Sequence, residues 1–295
     1  MEWSATLPAN ARSGSAVAGV LTAATVWGIV WYPYRLLEQA GLSGALATSV
    51  TYGVALVLGL ILFGHRLRGQ RFTPGLIPLA IAAGGCNLGY VLAVLQGEVM
   101  RVLLLFYLSP LWTILLSRLL LGERLSPKGA GVVGVSLLGA MIMLWHPEMG
   151  MPWPRNGSEW LGMGAGVFFA LQNVLIRRAA AQPLELKALA VFSGVILLGL
   201  GVLLMEPPRA IPHLEGHLLL TLLAIGVVLL VANVVIQIAL AALPANRASV
   251  MMLFELVVAA FSSWWLAGEI MHWREWLGGG LIVLASAYSA VLEKH

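Results

Sequence analysis

Few side chains in this sequence can do chemistry within its apolar stretches, and their types narrow what that chemistry is. Asn87 and Asn233 each sit in the middle of such a stretch, 146 residues apart. Gln237 follows Asn233 by one helical turn on the same face, and Tyr90 lies close to the Asn87 face. Amides so arranged either line a wet cavity or hydrogen-bond a neighbouring backbone and hold helices together. Glu255 is the one carboxylate set well inside an apolar run. There a carboxyl can pass a proton or bind a substrate amine, or it can stay protonated against an Asn or Ser of an adjacent helix. Trp27, Tyr107 and Trp112 also lie within apolar runs, and Asn173 joins the same set of cavity candidates. Tyr107 precedes Pro110 by about one turn, and a proline inside an apolar helix frees a backbone carbonyl. Aromatic walls with a few amides suit amphipathic organic solutes better than small inorganic ions.

What the chain lacks excludes several activities. All 13 acidic residues are Glu, so an aspartyl-phosphate ATPase, an Asp-based triad and a Walker B site are ruled out. No GxxxxGK[ST] phosphate loop and no HExxH pair occurs, and the six His, at 65, 146, 213, 217, 272 and 295, fall in loops or at segment ends. Neither a metal nor another cofactor is expected. Cys86 has no second cysteine to pair with and reads as a small buried thiol. An integral-membrane enzyme would need a convergent nucleophile, base or metal set near one interface, and none can be assembled, so the chain is not expected to be an enzyme.

The elements that must position these residues are membrane helices. The sequence is 60% hydrophobic and only 10% charged, with a mean hydropathy of +0.90, far from the composition of soluble domains. Ten apolar runs are long enough to cross a hydrocarbon core of roughly 30 Å, near 16–36, 43–64, 74–95, 101–121, 128–146, 159–178, 186–206, 216–243, 247–268 and 276–292. The first leads into Trp31, Tyr32 and Tyr34 rather than a small-residue cleavage site, so it is expected to be a retained helix. Ten crossings from a cytoplasmic start put twelve of the 17 basic residues on the cytoplasmic side. That bias fits the positive-inside rule, with both termini cytoplasmic and the protein in the bacterial inner membrane. The pI near 9.5 then reflects topology and lipid headgroups rather than nucleic-acid binding. Trp153, Trp160, Trp273 and Trp276 fall near segment ends, as interfacial anchors do.

Shifted by 146 residues, the chain matches itself: Asn87 on Asn233, Arg101 on Arg247, Gly122-Glu123 on Gly268-Glu269, Gly134 on Gly280. Polar and glycine identities in one register mark an internal repeat. Each copy holds five crossings, an odd number, so the second enters from the opposite side. The fold class is therefore all-α and integral to the membrane, with ten helices as two inverted five-helix repeats. The boundaries read as a tail over 1–15, a first repeat over 16–146, a loop over 147–158, a second repeat over 159–292 and a short end over 293–295. Inverted repeats convert inward-open to outward-open cavities by exchanging conformations, which points to a secondary transporter. A channel or flippase on the same scaffold is the alternative. The pseudo-two-fold would place Asn87 and Asn233 across the central axis, whereas Glu255 has Ser109 as its mate. Glu123 and Glu269 fall at segment ends on opposite sides, either as gate residues or as solvated charges behind a glycine stop.

The wording of the halves carries a resemblance: TVWGIVWYPYR in the first span, LLFYLSPLWTILLSRLLLGERLSPKG across the fourth and its loop, and GVVGVSLLGAMIML in the fifth. FFALQNVLIRR and NRASVMMLFELVVAAFSSWWLAGEIMHWREWLGGGLIVLASA repeat the pattern in the second half. Over nearly the whole chain the sequence resembles EamA-type members of the drug/metabolite transporter superfamily. The resemblance implies a ten-helix exporter of metabolites or drugs, whose relatives include aromatic amino-acid exporters. Where that family usually writes Glu-Pro in the ninth span this chain has Glu255-Leu256, so the ninth helix is expected to be straighter than the fourth. The partners expected are a small-molecule substrate, the lipid bilayer and protons as coupling ion, in a monomer or homodimer.

Overall fold

The computed structural model describes residues 9–68, 70, 73–151, 153–205, 215–268 and 270–291. Twelve α-helices run through them: α1 (Ala9–Gln39), α2 (Gly44–Leu67), α3 (Ile77–Gln96), α4 (Val99–Phe106), α5 (Ser109–Leu121), α6 (Pro127–Leu144), α7 (Gly157–Arg178), α8 (Leu184–Met205), α9 (Gly216–Ala242), α10 (Ala245–Met252), α11 (Phe254–Ala267) and α12 (Trp273–Val291). Helix α1 begins inside the stretch expected as a tail. Residues 1–8 and the end at 293–295 lie outside the described residues, as do His213 and His295.

Nine helical stretches among the described residues are long and apolar enough to cross a membrane, with α4–α5 and α10–α11 each serving as one crossing. The tenth expected span, α12, has 19 residues and carries Arg274 and Glu275 in its first turn, which lowers its hydropathy. It packs along its repeat mate α6 at a glycine crossing, where a Cβ on Gly139 would meet the Gly278 carbonyl oxygen at 2.6 Å. Such small-residue crossings replace the hydrophobic effect as the source of helix association in lipid, because backbones can approach closely there. Leu119, Leu197, Leu220 and Leu284 point outward and exposed. In water they would be a large unfavourable patch, and against hydrocarbon they are at no disadvantage. The protein is a multi-pass membrane protein.

The fourth span is not continuous. It breaks after Phe106, where Tyr107 and Leu108 leave the α-helical ladder and hydrogen bonds tighten to the third residue back, as in Leu111 N–H to the Leu108 carbonyl at 2.9 Å. Contrary to the expectation of a straighter ninth helix, the ninth span breaks in the same register, at Leu253. There Leu253 N–H reaches Val250 and Leu256 N–H reaches Leu253, at 3.1 and 3.0 Å. Helices α4 and α10 have eight residues each and coincide under the 146-residue shift. The ninth span thus breaks without a proline. A glycine from the first helix of the opposite half lies on the bent backbone in each case. A Cβ at Gly166 of α7 would sit 2.6 Å from the Phe106 carbonyl oxygen, and one at Gly28 of α1 would sit 2.8 Å from that of Glu255. Both half-helices then end at a left-handed glycine, Gly122 at φ 69° and Gly268 at φ 68°.

Candidate functional site

The two broken spans bring the candidate chemistry to the middle of the bundle. Because the ninth span restarts at Phe254, Glu255 is not two turns into a helix as the sequence suggested but in the first turn of α11. The Tyr107 hydroxyl, from the break in the fourth span, faces the Glu255 carboxyl, and Tyr90 and Cys86 of α3 lie within electrostatic reach of it. Glu255, Tyr90 and Asn87 each keep a small part of their surface uncovered by the protein. Tyr107 also joins an aromatic cluster in which Phe106 contacts Tyr90, Tyr107 and Phe169 with ring centroids 5.1, 5.1 and 5.5 Å apart. The edge-on arrangement of the first two pairs is the favourable one for aromatic quadrupoles.

Asn87 and Asn233 meet through a third residue. The Tyr52 hydroxyl of α2 donates to Asn87 Oδ1 at 3.2 Å and also faces the Asn233 amide. Each asparagine turns its NH₂ to the carbonyl four residues back on its own helix, Asn87 to Ala83 at 3.1 Å and Asn233 to Leu229 at 2.9 Å. The repeat mates thus keep identical local roles. Both readings of the amides apply in part: the NH₂ groups are tied to backbone, while Asn87 stays accessible and Asn233 is buried. Gln237 lies one turn beyond Asn233 and is fully buried, with no hydrogen-bond partner for either amide atom among the described residues. Asn173 of α7 is buried, and its Nδ2 has no hydrogen-bond partner among the described residues. Trp27 packs on the main hydrophobic core, which several helices build, and Trp112 has its indole N–H buried without a hydrogen-bond partner among the described residues. Pro110 is buried in the first turn of α5.

The two ends of the bundle are held by different devices. At the end where α5, α7 and α9 finish, Glu123 pairs with Arg177 at 3.3 Å and accepts the Ala245 N–H at 2.9 Å. Arg177 also donates to the Ala241 carbonyl through a 2.5 Å contact. One carboxylate and one guanidinium thereby tie α5, α7 and the α9–α10 turn together. At the opposite end Arg101 makes a bidentate pair with Glu159, at 2.7 and 2.9 Å, and donates to the Trp153 carbonyl at 3.1 Å. Its repeat mate Arg247 instead donates to the carbonyls of Ser289 and Ala290 near the C-terminus of α12, where a cation opposes the helix dipole. Glu269, the mate of Glu123, lies outside the described residues.

Sequence reasoning missed Tyr52, Phe106, Phe169, Arg177 and the Arg101–Glu159 pair. Arg101 had a signal, since it was one of the identities defining the repeat. Tyr52 had none, because its mate is Leu198.

Two five-helix copies of opposed entry, each with a helix broken at mid-depth and carrying its polar groups at the breaks, define a membrane transporter of the inverted-repeat class. The comparisons make this specific. The EamA-like transporter family matches residues 14–145 and again 157–291, and the chain belongs to that family, within the drug/metabolite transporter superfamily. It is 24% identical over 257 residues to a riboflavin transporter from Vibrio cholerae, covering 85% of this chain and 84% of that one. An uncharacterised transporter from Pseudomonas aeruginosa is 29% identical over 189 residues, which span 60% of this chain and 58% of the relative. A crystal structure at 22% identity superposes with a TM-score of 0.78, covering 94% of this chain and 98% of the other, a likeness of fold.

Proposed function

We propose that this protein is an exporter of small amphipathic organic solutes, amino-acid-like or drug-like, working by alternating access through the cavity between its two repeats. The repeats run over 16–146 and 159–292, joined by 147–158. Both termini are cytoplasmic and the membrane is the bacterial inner membrane. The observation that carries the reading is the Glu255 carboxyl at a mid-bundle helix start, faced by the Tyr107 hydroxyl. A carboxyl so placed can hold either a proton or a substrate cation, so occupation by one excludes the other and couples their movements. The aromatic cluster gives an organic solute its apolar contact, while Asn87, Tyr52 and Asn233 give it polar contact. The name of the Vibrio cholerae relative brings flavin-like rings into the range of solutes to be tried.

The test is flux in proteoliposomes loaded with amino acids, flavins, purine-like solutes and cationic dyes, with and without a pH gradient. Saturable efflux driven by inward protons is the expected result. Flux that never saturates, or movement of lipid alone, would replace the transporter reading with a pore or flippase.

A further inference from the structure

Beyond the groups around Glu255 lies a second set of polar groups that the central site does not use. Arg177 donates to the Ala241 carbonyl, which fixes α7 and α9 side by side at that level. One turn back along each helix stand Asn173 and Gln237. They occupy the step between the aromatic cluster, which ends at Phe169 one turn from Asn173, and the Glu123–Arg177 clamp. Both are buried, Gln237 completely and Asn173 to 4% exposure. Neither Oε1 nor Nε2 of Gln237 has a hydrogen-bond partner among the described residues, nor has Asn173 Nδ2, and the Oε1 of the adjacent Gln172 is likewise unpartnered.

A primary amide buried with both atoms idle is unfavourable as a structural element, because it has lost water and gained nothing in exchange. Asn87 and Asn233 show what amides that serve the fold do here: each finds the carbonyl four residues back. Gln237 does not. The nearby charges, Glu123 and Arg177, are engaged with each other, so the position offers no free charge to attract an ion. It offers an amide donor and an amide acceptor side by side, with an aromatic wall one turn away.

We propose that Asn173 and Gln237 form a second binding station, closed in this conformation by the Glu123–Arg177 clamp, for an uncharged solute edge that presents a hydrogen-bond donor and acceptor together: an amide, lactam or imide. The inference rests on the alternating-access reading and adds a substrate chemistry to it. A solute moving between the central cavity and the clamped end makes there the hydrogen bonds that the protein leaves unmade. Solutes without such an edge leave the desolvated amides unpaired and are rejected, since unmet polar groups discriminate more sharply than apolar fit.

Thermal unfolding of the purified full-length protein in detergent tests this with phthalimide, which is flat, uncharged and carries C=O beside N–H. N-methylphthalimide, which lacks the donor, and benzamidine, a cation, are the controls. Phthalimide is expected to raise the midpoint of the wild type by several degrees and N-methylphthalimide to leave it unmoved. Gln237→Met is expected to raise the midpoint without ligand, since the idle amide is gone, and to abolish the phthalimide response. Any benzamidine response, which belongs to Glu255, should survive. Asn173→Leu, as an independent variant, should lose the phthalimide response too. A lower midpoint in Gln237→Met would show that its amide holds the fold, and an equal phthalimide response in wild type and variants would place binding elsewhere; either result overturns the proposal. Absence of saturable flux in the wild-type vesicles would sink the transporter reading yet leave the phthalimide response standing, so the two failures are separable.

Discussion

The two broken spans share a geometry and differ in chemistry. Under the repeat shift, Tyr107-Leu108-Ser109-Pro110 falls on Leu253-Phe254-Glu255-Leu256. Helices α4 and α10 match residue for residue in extent, and α5 and α11 end at equivalent left-handed glycines. Yet the first break supplies a hydroxyl, and the second a carboxyl that faces it. The proline is present in only one. The break is therefore common to both halves and independent of the proline, whereas the reactive groups are a property of each half alone. Duplication preserved the frame and left the side chains free to diverge into complementary members of one site.

That contrast can be broken in graded ways. The largest effect is expected for Glu255→Gln: loss of proton-driven flux by roughly tenfold or more, equivalent to about 1.4 kcal/mol per tenfold, and a flattened pH dependence. Unchanged flux and unchanged pH response in vesicles would remove Glu255 from the mechanism. The exchange Ser109→Glu with Glu255→Ser should not restore transport, because the residue at the position equivalent to Tyr107 is Leu253; recovery of flux in that double variant would show the two breaks to be interchangeable. Tyr107→Phe removes one hydroxyl from the carboxyl and should cost a few-fold in flux, the worth of a hydrogen bond of about 1 kcal/mol. The smallest effect is expected for Pro110→Ala. Pro110 lies in the first turn of α5, where its missing N–H breaks no bond, and the Leu253 break shows that the bend persists without it. Its unfolding midpoint and flux should stay close to wild type, and a large change in either would return the cause of the bend to the proline.

Much of this was legible beforehand for definite reasons. The spans follow from hydropathy, and the repeat from identities held in one register through apolar sequence. The choice of Asn87, Asn233 and Glu255 followed from the cost of polar groups in hydrocarbon. The break at Leu253 was not legible, because no proline marks it, and the close approach of Gly28 to the Glu255 carbonyl joins residues 227 apart in the chain. The same limit hid the Glu123–Arg177 clamp, which exists only once α5 and α7 finish at the same end. Tyr52 was passed over because the repeat gave it no polar counterpart, yet its hydroxyl is where the two asparagines meet. That the Gln237 amide stays idle follows only from the packing around it.

Gly166 and Gly28 carry a consequence for how such a molecule can arise and be taken apart. Each pentad packs its broken span against a glycine of its twin, so a lone pentad would lack that packing surface. Two separately translated pentads, inserted in opposite senses, contain every surface needed to find one another. Severing the chain in the 147–158 connection and supplying both pieces together should therefore yield a working pair, while either piece by itself should be degraded.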